Sequence, residues 1–270
     1  MLLSALFSFN SFASPNIKGY AVYRQGNFPN PSGHAGLVYN SNIDDPNSII
    51  HVITGDDNDP DEDDYLIHIT SFDYFKDGQT FYGYYVPFSL KSYNNVNRRL
   101  ILNDVIYMAS LLKNINKNIL SYNVLYQVWY TTDKDKDEIV DYHEISSMRC
   151  DGLVEYCYEY YGLSVYAGNI STFDTTIRNV HVSPNITPKQ QIKHYLQNCL
   201  GDIDGDLTVT SSDSRLASRY SVGLETFGTY QLFVGDVSGN GYVTSEDARL
   251  ILRYATGLDS SFPADPFPPS

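Results

Sequence analysis

The chain has 270 residues, with 18 Lys and Arg against 32 Asp and Glu and a formal net charge of -14. That surplus excludes a nucleic-acid backbone as partner, since such binding rests on basic patches, and it is a poor match to an anionic membrane surface. The length suggests about two domains, and the acids are uneven: residues 1–200 hold 22 acids and 14 bases, residues 201–270 hold 10 acids and 4 bases.

Residues 1–13, MLLSALFSFNSFA, read as the end of a secretory signal, a short apolar run closed by the small-x-small Ser11-Phe12-Ala13. No later stretch approaches the ~18 apolar residues of a membrane span, so a secreted, extracellular product without a transmembrane segment is expected. GYAVYRQ, HAGLVYN and SIIHVITG then read as strands. The run Asp56–Asp64 packs seven acids into nine residues and is expected as a solvated loop. Following the His51 strand closely, it is expected to overhang any cleft there and to disfavour acidic substrates. YLIHITS (65–71) and FYGYYVP (81–87) are further strands. Residues 97–116 switch to helical periodicity, with Leu100, Val105, Met108, Leu111 and Leu112 as an apolar stripe.

Thr131–Glu144 reads as a charged surface loop. A second helix runs from Cys150 to Tyr161, with Gly162 placed to close it. Strand-like pieces follow to Val182. Residues 186–200 are expected as a connector, helical from Pro188 with Thr187 as N-cap. The end, residues 259–270, reads as a disordered proline-rich tail.

The three cysteines, Cys150, Cys157 and Cys199, allow one bridge and leave one thiol over. Catalysis is one reason for such a thiol and burial as a small hydrophobe is the other. Cys150 heads a helix, where the dipole favours thiolate. A thiolate nucleophile needs a base, and the base an orienting partner. His34 and His51 lie on successive strands, and paired strands are ~4.8 Å apart. Taken singly, His51 reads as a structural residue, and Cys157 as a core residue among aromatics.

Two segments repeat at a spacing of 34: GDIDGDLTVTSSDSRLASRY from Gly201 and GDVSGNGYVTSEDARLILRY from Gly235. Asp202, Asp204, Asp206, Thr208 and Asp213 fall at positions 1, 3, 5, 7 and 12 of one loop. Asp236, Ser238, Asn240, Tyr242 and Asp247 fall there in the other. Calcium takes six to eight hard oxygen ligands, and this spacing supplies them, with position 7 acting through its carbonyl. An apolar stripe follows each loop, Leu216 in one and Leu250, Ile251 and Leu252 in the other.

These repeats resemble a type I dockerin, the duplicated calcium-loop–helix module that plugs an enzyme into a cohesin on a scaffold protein. Asp rather than Glu at position 12 belongs to that pattern. Leu207 stands where position 6 expects the glycine that Gly241 supplies. The resemblance implies two Ca²⁺ ions, a cohesin module of a scaffoldin as partner, and a cohesin face made by Ser211, Ser212 and Arg219 and by Ser245, Glu246 and Arg253.

RCDGLVEYCYEYYG resembles the nucleophile helix of the NlpC/P60 papain-like hydrolases, with Asp151 where Ser is common. The histidine strands precede the cysteine, an order similar to the circularly permuted, lecithin:retinol acyltransferase-like branch. That resemblance implies Cys150 as nucleophile, His34 as general base and His51 as its orienting partner, with the Cys150 N–H in the oxyanion hole and no cofactor in that domain. The implied fold class is α+β: a permuted papain-like domain over 19–185, with an antiparallel sheet packed on helices, and a small all-α dockerin over 201–258. The implied function is that of a cellulosome-attached bacterial thiol hydrolase or acyltransferase acting on an amide or ester bond of a peptide or acyl substrate. The alternatives are a non-catalytic wall- or peptide-binding module, for which the 24 tyrosines would form a stacking surface, or a protease inhibitor or adaptor.

Overall fold

The computed structural model describes residues 14–26, 33–53, 65–116, 118–123, 126–130, 132–165 and 187–266. The signal segment 1–13, the acidic loop 56–64 and the strand-like residues 166–182 lie outside them. The chain forms two compact units, residues 17–198, and residues 199–270 together with 1–16. Among the described residues no helix is long and apolar enough to cross a membrane.

In the larger unit the elements run β1 (Ala21–Arg24), β2 (His34–Val38), β3 (Ile49–Val52), β4 (Ile67–Thr70), α1 (Phe72–Lys76), β5 (Phe81–Pro87) and α2 (Asn95–Lys113). They continue as β6 (Ser121–Tyr122), β7 (Val128–Tyr130), β8 (Ile145–Met148), α3 (Cys150–Glu159), α4 (Pro188–His194) and β9 (Leu196–Asn198). Six strands make one sheet in the order β4-β3-β2-β1-β5-β9 with every pairing antiparallel. A second sheet has the order β6-β8-β7. All of β1 and β3 is buried, as their near-continuous apolar sequences require, so Arg24 and His51 are polar intrusions in a core.

The apolar face of α2 is Leu102, Val105, Ile106, Met108, Ala109 and Leu112. Leu100, expected in that stripe, is 58 % exposed, because the helix turns its 102–105–109–112 line inward. All ten residues of α3 are buried, so its acids need internal partners. It closes at Gly162, whose φ of 75° permits the Gly162 N–H to reach Glu159 O and the Leu163 N–H to reach Tyr158 O. Within the expected connector, Pro188–His194 is helical as expected and Leu196–Asn198 is a strand. Thr187 caps α4 by accepting the Gln190 N–H, and β9 then pairs with β5 as the sheet's edge.

The smaller unit contains α5 (Ser211–Ser221), α6 (Thr229–Gly235) and α7 (Ser245–Ala255). The helices α5 and α7 pack together, and the Ser214 hydroxyl donates to Ala248 O at 2.7 Å. Ala217 and Ile251 are fully buried, whereas Leu252 of the expected stripe is exposed. The expected disordered tail is a correction as far as residue 266. Phe262 is 7 % exposed, stacks on Tyr254, and fills the space beside Gly201 that a Cβ there would occupy.

Candidate functional site

The site is built on β2, β3 and β4. Gly36 lies opposite His51, and Ile49 opposite Thr70. Residues two apart on a strand share a face, so His34, His51 and Thr70 form a diagonal across one face of three strands. Gly36 makes room for it, since a Cβ there would stand 3.0 Å from the His51 Cβ. His34 Nε2 lies 2.8 Å from His51 Nδ1, and His51 Nε2 lies 2.9 Å from Thr70 Oγ1. Phe75 on α1 packs on both imidazoles, with ring centroids 5.4 and 5.3 Å away.

Cys150 is the first residue of α3, which packs on β2. The backbone N–H groups of Ala35, the residue after His34, and of Asp151 act on the thiol to favour its ionised form. Two features seat this end of α3. Gly152 lies directly against the Gln127 carbonyl, and a Cβ there would meet that oxygen at 1.8 Å. Asp151 is fully buried and takes two hydrogen bonds from Arg149, at 2.5 and 2.7 Å, and one from Gln127 Nε2 at 3.2 Å. Asp151 is thus one half of a buried ion pair. The Gln191 side chain on α4 links the Tyr23 hydroxyl, at 2.7 Å, to Asp151 O, at 3.1 Å.

Burial, then the Asp151 charge, push the Cys150 thiol up to about 12, with Arg149 and the two N–H donors pulling the other way. The expected lowering by the helix dipole is therefore outweighed. Burial and the Arg24 charge bring His34 down to about 3. His51 is held well below its usual value by burial, then by His34, Arg24 and His68. At neutral pH thiol and imidazoles all rest uncharged. All three cysteines are free and buried, so the one possible bridge is not formed, and burial raises the Cys157 thiol as well.

In the smaller unit the two repeated loops share their backbone. Positions 4 and 6 are left-handed in both, Gly205 (φ 71°) and Leu207 (69°), and Gly239 (76°) and Gly241 (91°). Position 1 accepts the position-6 N–H, from Leu207 to Asp202 at 2.9 Å and from Gly241 to Asp236 at 2.7 Å. Position 12 accepts the position-9 N–H at 2.8 Å in each. Leu207 adopts the strained conformation that glycine takes without cost. Carboxylate oxygens of Asp202, Asp204 and Asp206 lie within 4.8 Å of one another. Burial and mutual repulsion raise Asp202 to about 8 and Asp204 to about 6, and burial raises Asp213. Acids so crowded are a donor set for a hard cation. Ser211, Ser212, Ser245 and Glu246 are exposed at the starts of α5 and α7. Arg219 is paired with Glu225, and Arg253 with Asp259, both at 2.7 Å.

The segment 131–144 holds more than a charged surface. Asp133, Asp135, Asp137, Asp141 and Glu144 stand at positions 1, 3, 5, 9 and 12 of a twelve-residue window, the oxygen spacing of an EF-hand loop. This signal is legible in the sequence, although Glu138 replaces the position-6 glycine. Positions 4 and 6, Lys136 and Glu138, again have φ of 65° and 66°. The Glu138 N–H reaches Asp133 at 2.9 Å, and the Asp141 N–H reaches the buried Glu144 at 3.0 Å. Oxygens of Asp133, Asp135 and Glu144 lie within 4.8 Å of one another. Thr70 is the other residue absent from the sequence reading.

No curated protein and no solved structure matches the chain. Residues 200–259 match the family model for the dockerin type I domain. Dockerin-type domains bind Ca²⁺ and take a cohesin as partner, and the C-terminal part of this chain is such a domain.

Proposed function

We propose that the larger unit is a cysteine hydrolase or acyltransferase of the permuted NlpC/P60 kind, carried by its dockerin to a scaffold protein outside the cell. The observation that supports this most is the 2.8 Å pairing of His34 with His51 on β2 and β3, the two strands against which α3 packs with Cys150 as its first residue.

In this reading the resting pair is neutral thiol and neutral imidazole, and His34 works as base during attack. The Cys150 S–H bond breaks, its proton moves to His34 Nδ1, and sulfur bonds to the carbonyl carbon of an amide or ester. The carbonyl π pair moves to oxygen, where the backbone N–H of Cys150, engaged by no acceptor among the described residues, donates to it. Collapse expels the amine or alcohol with the proton from His34 and leaves a thioester. Water, or another acceptor for a transferase, gives a proton to His34 as its oxygen or nitrogen bonds to the acyl carbon; the C–S bond then breaks, the acid or transfer product leaves, and sulfur takes the proton back from His34. Cell-wall peptides are the substrate class the resemblance favours.

The dockerin reading assigns one Ca²⁺ to Asp202, Asp204, Asp206, Thr208 and Asp213, and a second to Asp236, Ser238, Asn240, Tyr242 and Asp247. Bound there, the ion would supply the positive charge that the acids lack. Ser211, Ser212, Ser245 and Glu246 form the cohesin face, flanked by Arg219 and Arg253.

A non-catalytic binding module is the second reading, favoured by the 0 % exposure of Cys150. Timed iodoacetamide labelling with peptide mapping separates the two. The catalytic reading expects Cys150 to react faster than Cys157 and Cys199 at pH 7, and to lose that advantage in His34→Ala. Equal rates at all three cysteines would leave the binding module.

A further inference from the structure

We propose that Thr70 is a positioning residue that sets the proton arrangement of both histidines, an inference that rests on the hydrolase reading of Cys150 and His34. Two neutral imidazoles joined through one nitrogen each have two possible arrangements, and only one leaves His34 Nδ1 bare. Which one holds depends on the partner that the other nitrogen of His51 meets.

That partner is Thr70 Oγ1, 2.9 Å from His51 Nε2. A hydroxyl has one proton to give and lone pairs to accept with. Its own proton has an acceptor in Ser71 O, 3.3 Å away, and a carbonyl oxygen only accepts. Thr70 Oγ1 therefore accepts from His51, whose proton is on Nε2. His51 Nδ1 is then bare and accepts the His34 Nε2–H across 2.8 Å. His34 Nδ1 keeps its lone pair, and among the described residues it has no hydrogen-bond partner. The Ser71 carbonyl thus fixes the base form of His34 three groups away.

The register explains why Thr70 is placed to do this. His51 faces His68 directly, so Thr70, two residues on, is its diagonal neighbour on the same face. His68 is turned aside, with Nε2 2.9 Å from Tyr65 O. The reverse arrangement would put protons on His51 Nδ1 and His34 Nδ1, and His34 could not take a proton from the thiol. When His34 becomes imidazolium during attack, its Nε2–H still points at the bare His51 Nδ1, so His51 holds the ring without itself changing charge.

Thr70→Val keeps shape and strand preference and removes the hydroxyl, and Thr70→Ser keeps it. Imidazole nitrogen NMR of the full chain labelled with ¹⁵N-histidine reads the proton positions, and p-nitrophenyl acetate turnover reads the reaction. The expected spectra show His34 and His51 protonated on Nε2 in the unsubstituted chain and in Thr70→Ser, and both rings averaged between two forms in Thr70→Val. The expected kcat falls ~10-fold or more in Thr70→Val, a fraction of what a general base contributes, with KM unchanged and recovery in Thr70→Ser. Nε2 protonation that persists in Thr70→Val overturns the proposal. No turnover in the unsubstituted chain would sink the hydrolase reading, and the spectra would still decide the role of Thr70.

Discussion

Exchange of Gly152 for Ala sets two effects of opposite sign against each other. Intrinsic helix preference favours Ala inside a helix by ~1 kcal/mol, so an isolated α3 would gain from the change. In the folded unit, the new Cβ would lie 1.8 Å from Gln127 O and 2.4 Å from its carbonyl carbon. Real Cβ atoms essentially never come nearer than 3.0 Å, so the two backbones must part by about 1.2 Å. No side chain can swing away to absorb this, because the obstacle is main chain whose oxygen also accepts the Arg149 N–H at 2.9 Å. Overpacking costs ~1–3 kcal/mol and occasionally more, and a backbone-to-backbone clash belongs at the upper end. The net expectation is a loss of ~2 kcal/mol or more. Urea unfolding followed by fluorescence measures it, because the single tryptophan, Trp129, stands two residues after Gln127. Gly162→Ala is the control, with φ 75° and nothing within 4 Å, and loses ~1 kcal/mol from backbone conformation alone. A Gly152→Ala chain as stable as the parent would refute the close seating of α3.

Acid should weaken the larger unit through its histidines. An unfolded histidine titrates near 6.5, while folded His34 stays neutral down to about 3, so between those values the unfolded chain binds more protons. Stability therefore falls as pH drops through that window, and His51 adds in the same direction. Urea midpoints at pH 7 and pH 5 should differ, and His34→Gln should shrink the difference; an unchanged midpoint would contradict the buried neutral imidazole. Leu207→Gly removes a strain of ~1–2 kcal/mol but forfeits the burial of a side chain 1 % exposed, worth ~1.5–3 kcal/mol. A net loss of ~1 kcal/mol is expected as faster amide exchange in α5, and slower exchange would show that strain dominates. Chelation of calcium should likewise speed exchange in α5 and α7 while β1–β5 keep their protection. The double variant Asp202→Ala, Asp236→Ala should bind two fewer calcium ions per chain by elemental analysis, and an unchanged calcium count would contradict the assignment of the ions to these loops.

Much of this fold is legible in the sequence because its strands and helices carry their own periodicity. The runs GYAVYRQ, HAGLVYN, SIIHVITG, YLIHITS and FYGYYVP contain β1 to β5, and the dockerin loops show their oxygen spacing directly. Where reading fails, the cause is long-range. β9 is three residues that become a strand only because β5 offers an edge, and Phe262 is ordered only because Tyr254 and Gly201 receive it. The neighbourhood of His34 and His51 follows from their strands, but Thr70 enters only once the register of β3 on β4 is known. The charge state of Cys150 is the clearest divergence. Position at a helix start argues for a low thiol pKa, and complete burial beside Asp151 raises it instead. The loop 133–144 was readable from spacing, masked by the lysines and glutamate that interleave its acids.

The central claim, that Cys150 is a nucleophile served by His34, is tested most directly by trapping its acyl form. Brief exposure of the full chain to p-nitrophenyl acetate, acid quench and peptide mass mapping should find one acetyl group, on Cys150. The same treatment of His34→Ala should find none, while Cys157 and Cys199 stay unmodified in both. Acetylation absent from Cys150, or present to the same extent without His34, would contradict the account.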